Sequence, residues 1–258
     1  MNTRSGNASS PHTVKIAAIS DLHYRLDSGR QLGAVFERVA QEADILLVCG
    51  DITHHGLAGE AAVFIEDAAP VLGKIPVLGV LGNHDFESGN QEVLFRRFRN
   101  AGVIMLDGDT RHIRGIGFAG VKGFAGGFGR MALQPWGEAA IKNFVQEAAA
   151  ESQKLARALS ELNSGPKIVL MHYSPIRETV AGEPQEIVPF LGSSSLEEPL
   201  NRFAATAAFH GHAHKGCLQG RTGANIPVYN VSLGVLKRLF PERPPFFLLE
   251  VSTDAPAD

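Results

Sequence analysis

Short apolar runs alternate with amphipathic stretches along most of the chain. VKIAAI (14–19), ILLVC (45–49), PVLGVL (76–81), KIVLM (167–171) and TAAFH (206–210) are almost unbroken. Runs of this length without polar alternation predict strands covered on both faces. Between the early ones lie patterns of helical period. In 30–42, Leu32, Val35, Phe36 and Val39 fall on one face, and 58–69 and 89–100 behave alike. A longer helix is predicted over about 137–162, with Ile141, Phe144, Val145, Ala148, Leu155, Leu159 and Leu162 as its apolar side. Gly165-Pro166 stops it. Strand–helix alternation implies parallel strands joined by right-handed crossovers. Later, 216–219, 226–231 and 245–251 read as neighbouring strands joined by turns. The expectation is a mixed α/β architecture with helices outside sheet layers. Residues 1–12 and 252–258 are short, polar and Pro- or Ser-containing, and read as disordered tails around a single domain over 13–251.

Composition narrows the function classes. The chain has 258 residues, 44% hydrophobic and 20% charged, as in an ordinary globular protein. A formal net charge of −3 offers no long-range attraction for nucleic acid or an anionic membrane, so neither is expected as a partner. Cys49 and Cys217 are the only cysteines, too few for a disulfide framework, which suits a reducing compartment. The polar N-terminus lacks a secretory apolar stretch, and no run approaches the roughly 18 apolar residues of a membrane span. The expected location is cytoplasmic.

The chemistry lies in the polar residues that end each apolar run. VKIAAIS leads into Asp21-Leu22-His23, ILLVCG into Asp51, and PVLGVLG into Asn83-His84-Asp85. KIVLM leads into His172, and TAAFHG into His212-Ala213-His214. In open α/β sheets, sites form outside the carboxyl ends of the strands, so these groups are delivered to one edge. Asp21 and His23 are two apart, and in an extended segment both would point to one side, as would His212 and His214. Gly50, Gly82 and Gly211 precede their polar residues, where a missing Cβ permits close backbone approach. Carboxylate, imidazole and amide oxygen without cysteine favour a divalent ion such as Mn, Fe, Zn or Ni. So many donors exceed one tetrahedral zinc site, and two ions sharing a bridge is the economical arrangement.

In that order, DLH (21–23), GD (50–51), GNHD (82–85), MH (171–172) and GHAH (211–214) resemble the motifs of the calcineurin-like metallophosphoesterases. The resemblance covers about residues 14–231 with all five blocks intact. It implies a pair of mixed β-sheets packed face to face with flanking helices. It also implies two divalent metal ions. Asp21, His23 and His214 would hold the first, Asn83, His172 and His212 the second, and Asp51 would bridge them. The implied reaction is attack on a small phosphoester by a hydroxide bridging the ions. Two such ions with two aspartates and that hydroxide leave a residual charge of roughly +1, which favours a phosphate anion. His84 would contact the phosphate and protonate the leaving oxygen. Asp85 would either orient that imidazole or cap the segment after it.

GDIT-x-x-G resembles the bacterial cyclic-nucleotide phosphodiesterase branch, so a diester is expected ahead of a monoester. MHYSP replaces the double histidine usual in that branch. The alternative is a non-catalytic protein-interaction scaffold, as in a retromer subunit, although such relatives can lose donors that are all present here.

Other residues carry weaker signals. His210 precedes Gly211 within a strand and reads as a satisfied core or supporting histidine. His54 and His55 sit in the loop after Asp51, as substrate contacts or solvated residues. GIGFAG (115–120) has dinucleotide-site spacing, but glycines continue where the required helix would begin, so it reads as a glycine-rich hairpin or loop. The irregular segment 173–199 is expected to form a wall or lid, with Arg177 either on substrate phosphate or on the surface.

Overall fold

The computed structural model of the chain describes residues 12–253. Its elements are β1 (His12–Ile19), α1 (Gly33–Glu42), β2 (Ile45–Cys49), α2 (Ala58–Asp67), β3 (Val77–Val80), α3 (Gln91–Asn100), β4 (Val103–Met105), β5 (Thr110–Ile113), β6 (Ile116–Val121), α4 (Ala139–Glu161), β7 (Lys167–Met171), α5 (Glu197–Arg202), β8 (Ala207–His210), β9 (Gln219–Arg221), β10 (Pro227–Asn230), α6 (Leu233–Leu239) and β11 (Phe247–Thr253).

The strands form two mixed sheets, ordered β11-β1-β2-β3-β4 and β5-β6-β7-β8-β10-β9. Parallel pairing runs through the interior of both, as the crossover pattern requires. Antiparallel strands close the edges at β11, β5 and β9. The apolar residues of these runs are buried, with β2, β3, β6 and β8 wholly inside.

In the second sheet, period-2 alternation divides β6, β7, β8 and β10 between two cores. On β7, Ile168 and Leu170 join the core between the sheets, with Ile45, Leu47 and Ile16 of the opposing layer. Val169 and Met171 point the other way and pack with Leu155 and Leu159 of α4. Phe209 on β8 sits between the layers, 5.4 Å from the Tyr229 ring and 6.2 Å from Phe247. The face-to-face sandwich with outer helices is the architecture expected from the sequence.

Two expectations are corrected and a third is met. The segment 245–251 does not neighbour 216–219 and 226–231. It continues into β11, which pairs antiparallel with β1 in the other sheet, because Phe247 is drawn into the inter-sheet core beside Tyr229, 4.5 Å away. Residues 12, 252 and 253, read as parts of tails, belong to strands β1 and β11. His12 pairs with Thr253 at the β1–β11 edge, while 1–11 and 254–258 lie outside the described residues. GIGFAG proves to be the turn and return strand of the β5–β6 hairpin, with Arg114 and Gly115 both at positive φ.

Phe209→Ala should remove the ring that joins the two layers. The expected loss is about 3–5 kcal/mol, seen as a lower urea midpoint at unchanged m-value.

Candidate metal centre

The site is built where strands stop and the backbone turns sharply. After β1, Asp21 and His23 adopt φ of 60° and 49°; after β2, Asp51 adopts 48°; after β8, His212 adopts 67°. These are left-handed conformations that non-glycine residues avoid, and each costs of order 1–3 kcal/mol unless surroundings enforce it. The enforcement is visible. Asp21 N–H donates to Gly50 O (3.1 Å), His23 N–H to Asp51 O (3.0 Å) and Tyr24 N–H to Ile52 O (2.9 Å), so the loops after β1 and β2 are zipped together. Asp21 and His23 therefore share a cluster through two left-handed turns, and not through the extended backbone expected from their spacing.

The glycines before the donors have steric causes. A Cβ on Gly82 would collide with the Asp51 carboxylate, and one on Gly211 with Ser20 and Asp21. At Gly50, whose φ is +89°, a Cβ would lie 2.7 Å from His172 Cγ.

All seven expected donors converge. Donor atoms of Asp21, His23 and His214 lie within 4.8 Å of one another, as do those of Asp51, His172 and His212. Asn83 Oδ1 is 2.9 Å from His172 Nε2. Between the clusters, His23 Nε2 is 3.8 Å from Asp51 Oδ2 and 3.5 Å from His214 Nε2. Asp51 Oδ1 accepts from the His84 N–H at 2.8 Å and lies 3.4 Å from His172 Nε2. Asp51 Oδ2 is buried with no hydrogen-bond partner among the described residues. A buried carboxylate oxygen without a donor costs several kcal/mol, which a cation beside it would offset.

Supporting contacts set the free nitrogens. His172 Nδ1–H donates to Cys49 O at 3.0 Å, which leaves Nε2 facing Asn83 and Asp51. His212 Nε2–H likewise donates to Phe190 O at 3.2 Å, which leaves Nδ1 of that ring free to face a cation.

The electrostatics suit cations. Burial would raise the Asp21 carboxyl, but its hydrogen bond with His214 and nearby imidazoles hold it below the ordinary range. Burial likewise opposes ionisation of Asp51, and the charge and hydrogen bond of His172 overcome it. Burial pushes His23 and His212 down to about 4, so both are neutral at pH 7, the form that ligates. His172 goes the other way: despite burial, the Asp51 carboxylate raises it to about 9. A divalent ion on Nε2 would displace that proton.

The two residues assigned to catalysis separate. His84 lies at the site, its ring 4.6 Å from that of His23, with Nδ1 donating to His54 O at 2.7 Å. Asp85 does not orient His84. It is fully buried, accepting from the N–H groups of Thr53 (2.8 Å), Gly82 (2.8 Å) and Ile52 (3.2 Å) and from the Thr53 hydroxyl (2.6 Å). Its carboxylate ties the loop after β2 to the loop after β3; burial and the Asp51 charge raise it to about 6.

His210 is satisfied on both ring nitrogens, by Gly211 O at 2.7 Å and Thr179 Oγ1 at 2.8 Å, as a supporting residue should be. His55 turns to Glu60 at the start of α2. His54 instead joins the site, stacked on His84 with 5.3 Å between centroids and grouped with His23. Its position two residues beyond the Asp51-Ile52 turn was the available signal, shared with His55 in the sequence.

The chain belongs to the calcineurin-like phosphoesterase family, whose model matches residues 14–216. An uncharacterized protein of Methanocaldococcus jannaschii, MJ1162, is 34% identical over 110 residues, a match covering 43% of this chain and 44% of that protein's length. Among solved structures, the phosphopantetheinyl hydrolase of Mycobacterium tuberculosis superposes with a TM-score of 0.63 at 18% identity, covering 92% of this chain and 95% of that one. TT1561 of Thermus thermophilus gives 0.59 at 17% identity, covering 92% and 99%. At these identities the structural likeness is one of fold.

Gly82→Ala should force the Asp51 carboxylate aside. The expected cost is about 1–3 kcal/mol, read by thermal unfolding of the metal-free protein. An unchanged midpoint would mean that the loop accommodates the methyl group.

Proposed function

We propose that this protein is a two-metal phosphoester hydrolase, acting on diesters ahead of monoesters. The observation that carries the proposal is Asp51, a buried carboxylate with a partnerless oxygen, grouped with His172 and His212 and 3.8 Å from His23 of the Asp21, His23 and His214 cluster. In this reading Asp21, His23 and His214 hold one ion, Asn83, His172 and His212 the other, and Asp51 both. Such ions neutralise phosphate oxygens and lower the pKa of a bound water, supplying a nucleophile at neutral pH.

The chain's own groups do the rest. His84 is held by its main-chain N–H on Asp51 and by Nδ1 on His54 O, which leaves Nε2 to carry a proton to the leaving oxygen. His54, stacked beside it, fixes the plane of that ring. Asp85 positions both loops without touching the reacting atoms. Diester preference is supported by the GDIT-x-x-G motif, and one fold neighbour is named a phosphopantetheinyl hydrolase, which is compatible with an extended leaving group. The scaffold alternative is disfavoured because every donor is retained and convergent. Residues 13–251 are read as one catalytic domain, since the inter-sheet core draws on both layers. Two free cysteines support a reducing, cytoplasmic setting, and no described helix is long and apolar enough to cross a membrane.

Manganese-loaded protein should release p-nitrophenol from bis-p-nitrophenyl phosphate, and chelator or Asp51→Asn should abolish release. His84→Ala should lower kcat about 10²–10⁴-fold while bound metal stays constant. Full activity in Asp51→Asn would sink the two-metal reading. Metal should also stabilise the fold: at a free manganese concentration 100 times Kd, the gain is about 2.7 kcal/mol, seen as a higher Tm that chelator reverses.

A further inference from the structure

His214 is the least sheltered of the seven expected donors. Its side chain is 47% exposed, against 20% for His23 and 0% for His172. The ring meets Asp21 Oδ1 at 3.0 Å, but packing does little to fix a half-exposed side chain. The position of His214 therefore depends on the main chain that carries it.

That main chain is held by the segment running from the end of β10 through α6. Asn230 and Ser232, both fully buried, donate to Ala213 O from Nδ2 (2.7 Å) and Oγ (3.3 Å). Arg238, in the last turn of α6, donates to the next three carbonyls in order: Nη1 to His214 O (3.2 Å), and Nη2 to Lys215 O (3.4 Å) and Gly216 O (2.7 Å). Three side chains thus satisfy the consecutive carbonyls of 213–216, groups that would otherwise need water. Gly234 lets α6 come this close, because a Cβ there would lie 2.9 Å from His214 O. The same segment also grips the chain just before Asp21: Ser20 N–H donates to Val231 O and Leu233 N–H to Ser20 O, each at 2.9 Å.

An exposed arginine ordinarily serves solvent or an ion pair. Among the described residues, every hydrogen bond of the Arg238 side chain goes instead to the turn that begins at His214. A planar fork of N–H groups spans a run of carbonyls, which the compact ammonium of a lysine does not.

We infer that Arg238 is a positioning residue of the metal centre: it fixes the main chain of 214–216 and so holds His214 beside Asp21 and His23 for the first ion. This rests on the two-ion reading and adds to it a residue 24 positions after His214, outside all five motif blocks. The second ion does not depend on Arg238. His172 is fixed by Cys49 O, and His212 by its N–H on Asp21 and its Nε2–H on Phe190 O.

The test is manganese binding, measured by equilibrium dialysis with metal analysis so that no turnover is involved. Two backgrounds separate the ions: His172→Ala leaves the first, and His23→Ala leaves the second. Arg238→Ala should weaken the first ion about tenfold, as loss of a contact that supports a ligand does, and leave the second unchanged. Guanidinium ion, far below denaturing concentrations, should restore the first ion to Arg238→Ala, and methylammonium should not. Arg238→Lys should also weaken the first ion, and it carries the same comparison should Arg238→Ala fail to fold. The inference is overturned if the first ion binds as well without Arg238, if both ions weaken alike, or if guanidinium and methylammonium act alike. Wild-type protein that takes up fewer than two manganese ions loses the two-ion reading and this inference with it. Protein that binds two ions and fails the comparison loses the inference alone.

Discussion

The structure depends on a carboxylate placed where carboxylates are costly. Asp51 is 1% exposed, turned through a left-handed backbone, and satisfied on one oxygen only. Its neighbours are chosen for that position. Gly82 leaves room for the carboxylate, Gly50 leaves room for His172, and the His84 N–H donates to the oxygen that remains. Remove any of these and the buried charge has fewer groups to stabilise it. A divalent cation on the unpartnered side would relieve that burial cost directly.

Four strained donor positions cannot be stable in isolation. They persist because the strands behind them are among the best-packed parts of the chain. β2 and β3 are wholly buried, and the loops they release are cross-linked by Asp85, whose carboxylate accepts from both. Core stability and site strain are thus two ends of the same strands, with the sandwich holding the loops to geometries that they would not choose.

The centre and a pocket beside it obey different rules. The centre is made of strand ends, so its geometry follows from sheet register. The pocket is made of irregular chain, Gly126 to Trp136 and 173–199, held together by a few backbone hydrogen bonds and lined by exposed rings. Irregular segments of this kind can vary in sequence without moving the strand ends.

Much of this was legible in the residues alone. Unbroken apolar runs marked strands buried on both faces, and the polar residue after each run marked the edge where a site forms, because strand ends in an α/β sheet face a common crevice. That rule marked Asp21, His23, Asp51, Asn83, His84, Asp85, His172, His212 and His214, and the resemblance to the calcineurin-like metallophosphoesterases picked the seven expected donors among them. What tertiary structure decided was every relation among groups distant in the chain. Spacing could not tell His54 from His55, since one ring turns to His84 and the other to Glu60 through contacts made only on folding. Adjacency suggested that Asp85 served His84, but a buried carboxylate goes where backbone N–H donors are densest, here the two loops beneath it. Likewise β11 left its sequence neighbours for the far edge of the other sheet, because the inter-sheet core had room for Phe247. Local pattern determines what a segment becomes; burial and hydrogen bonding across the fold decide what it touches.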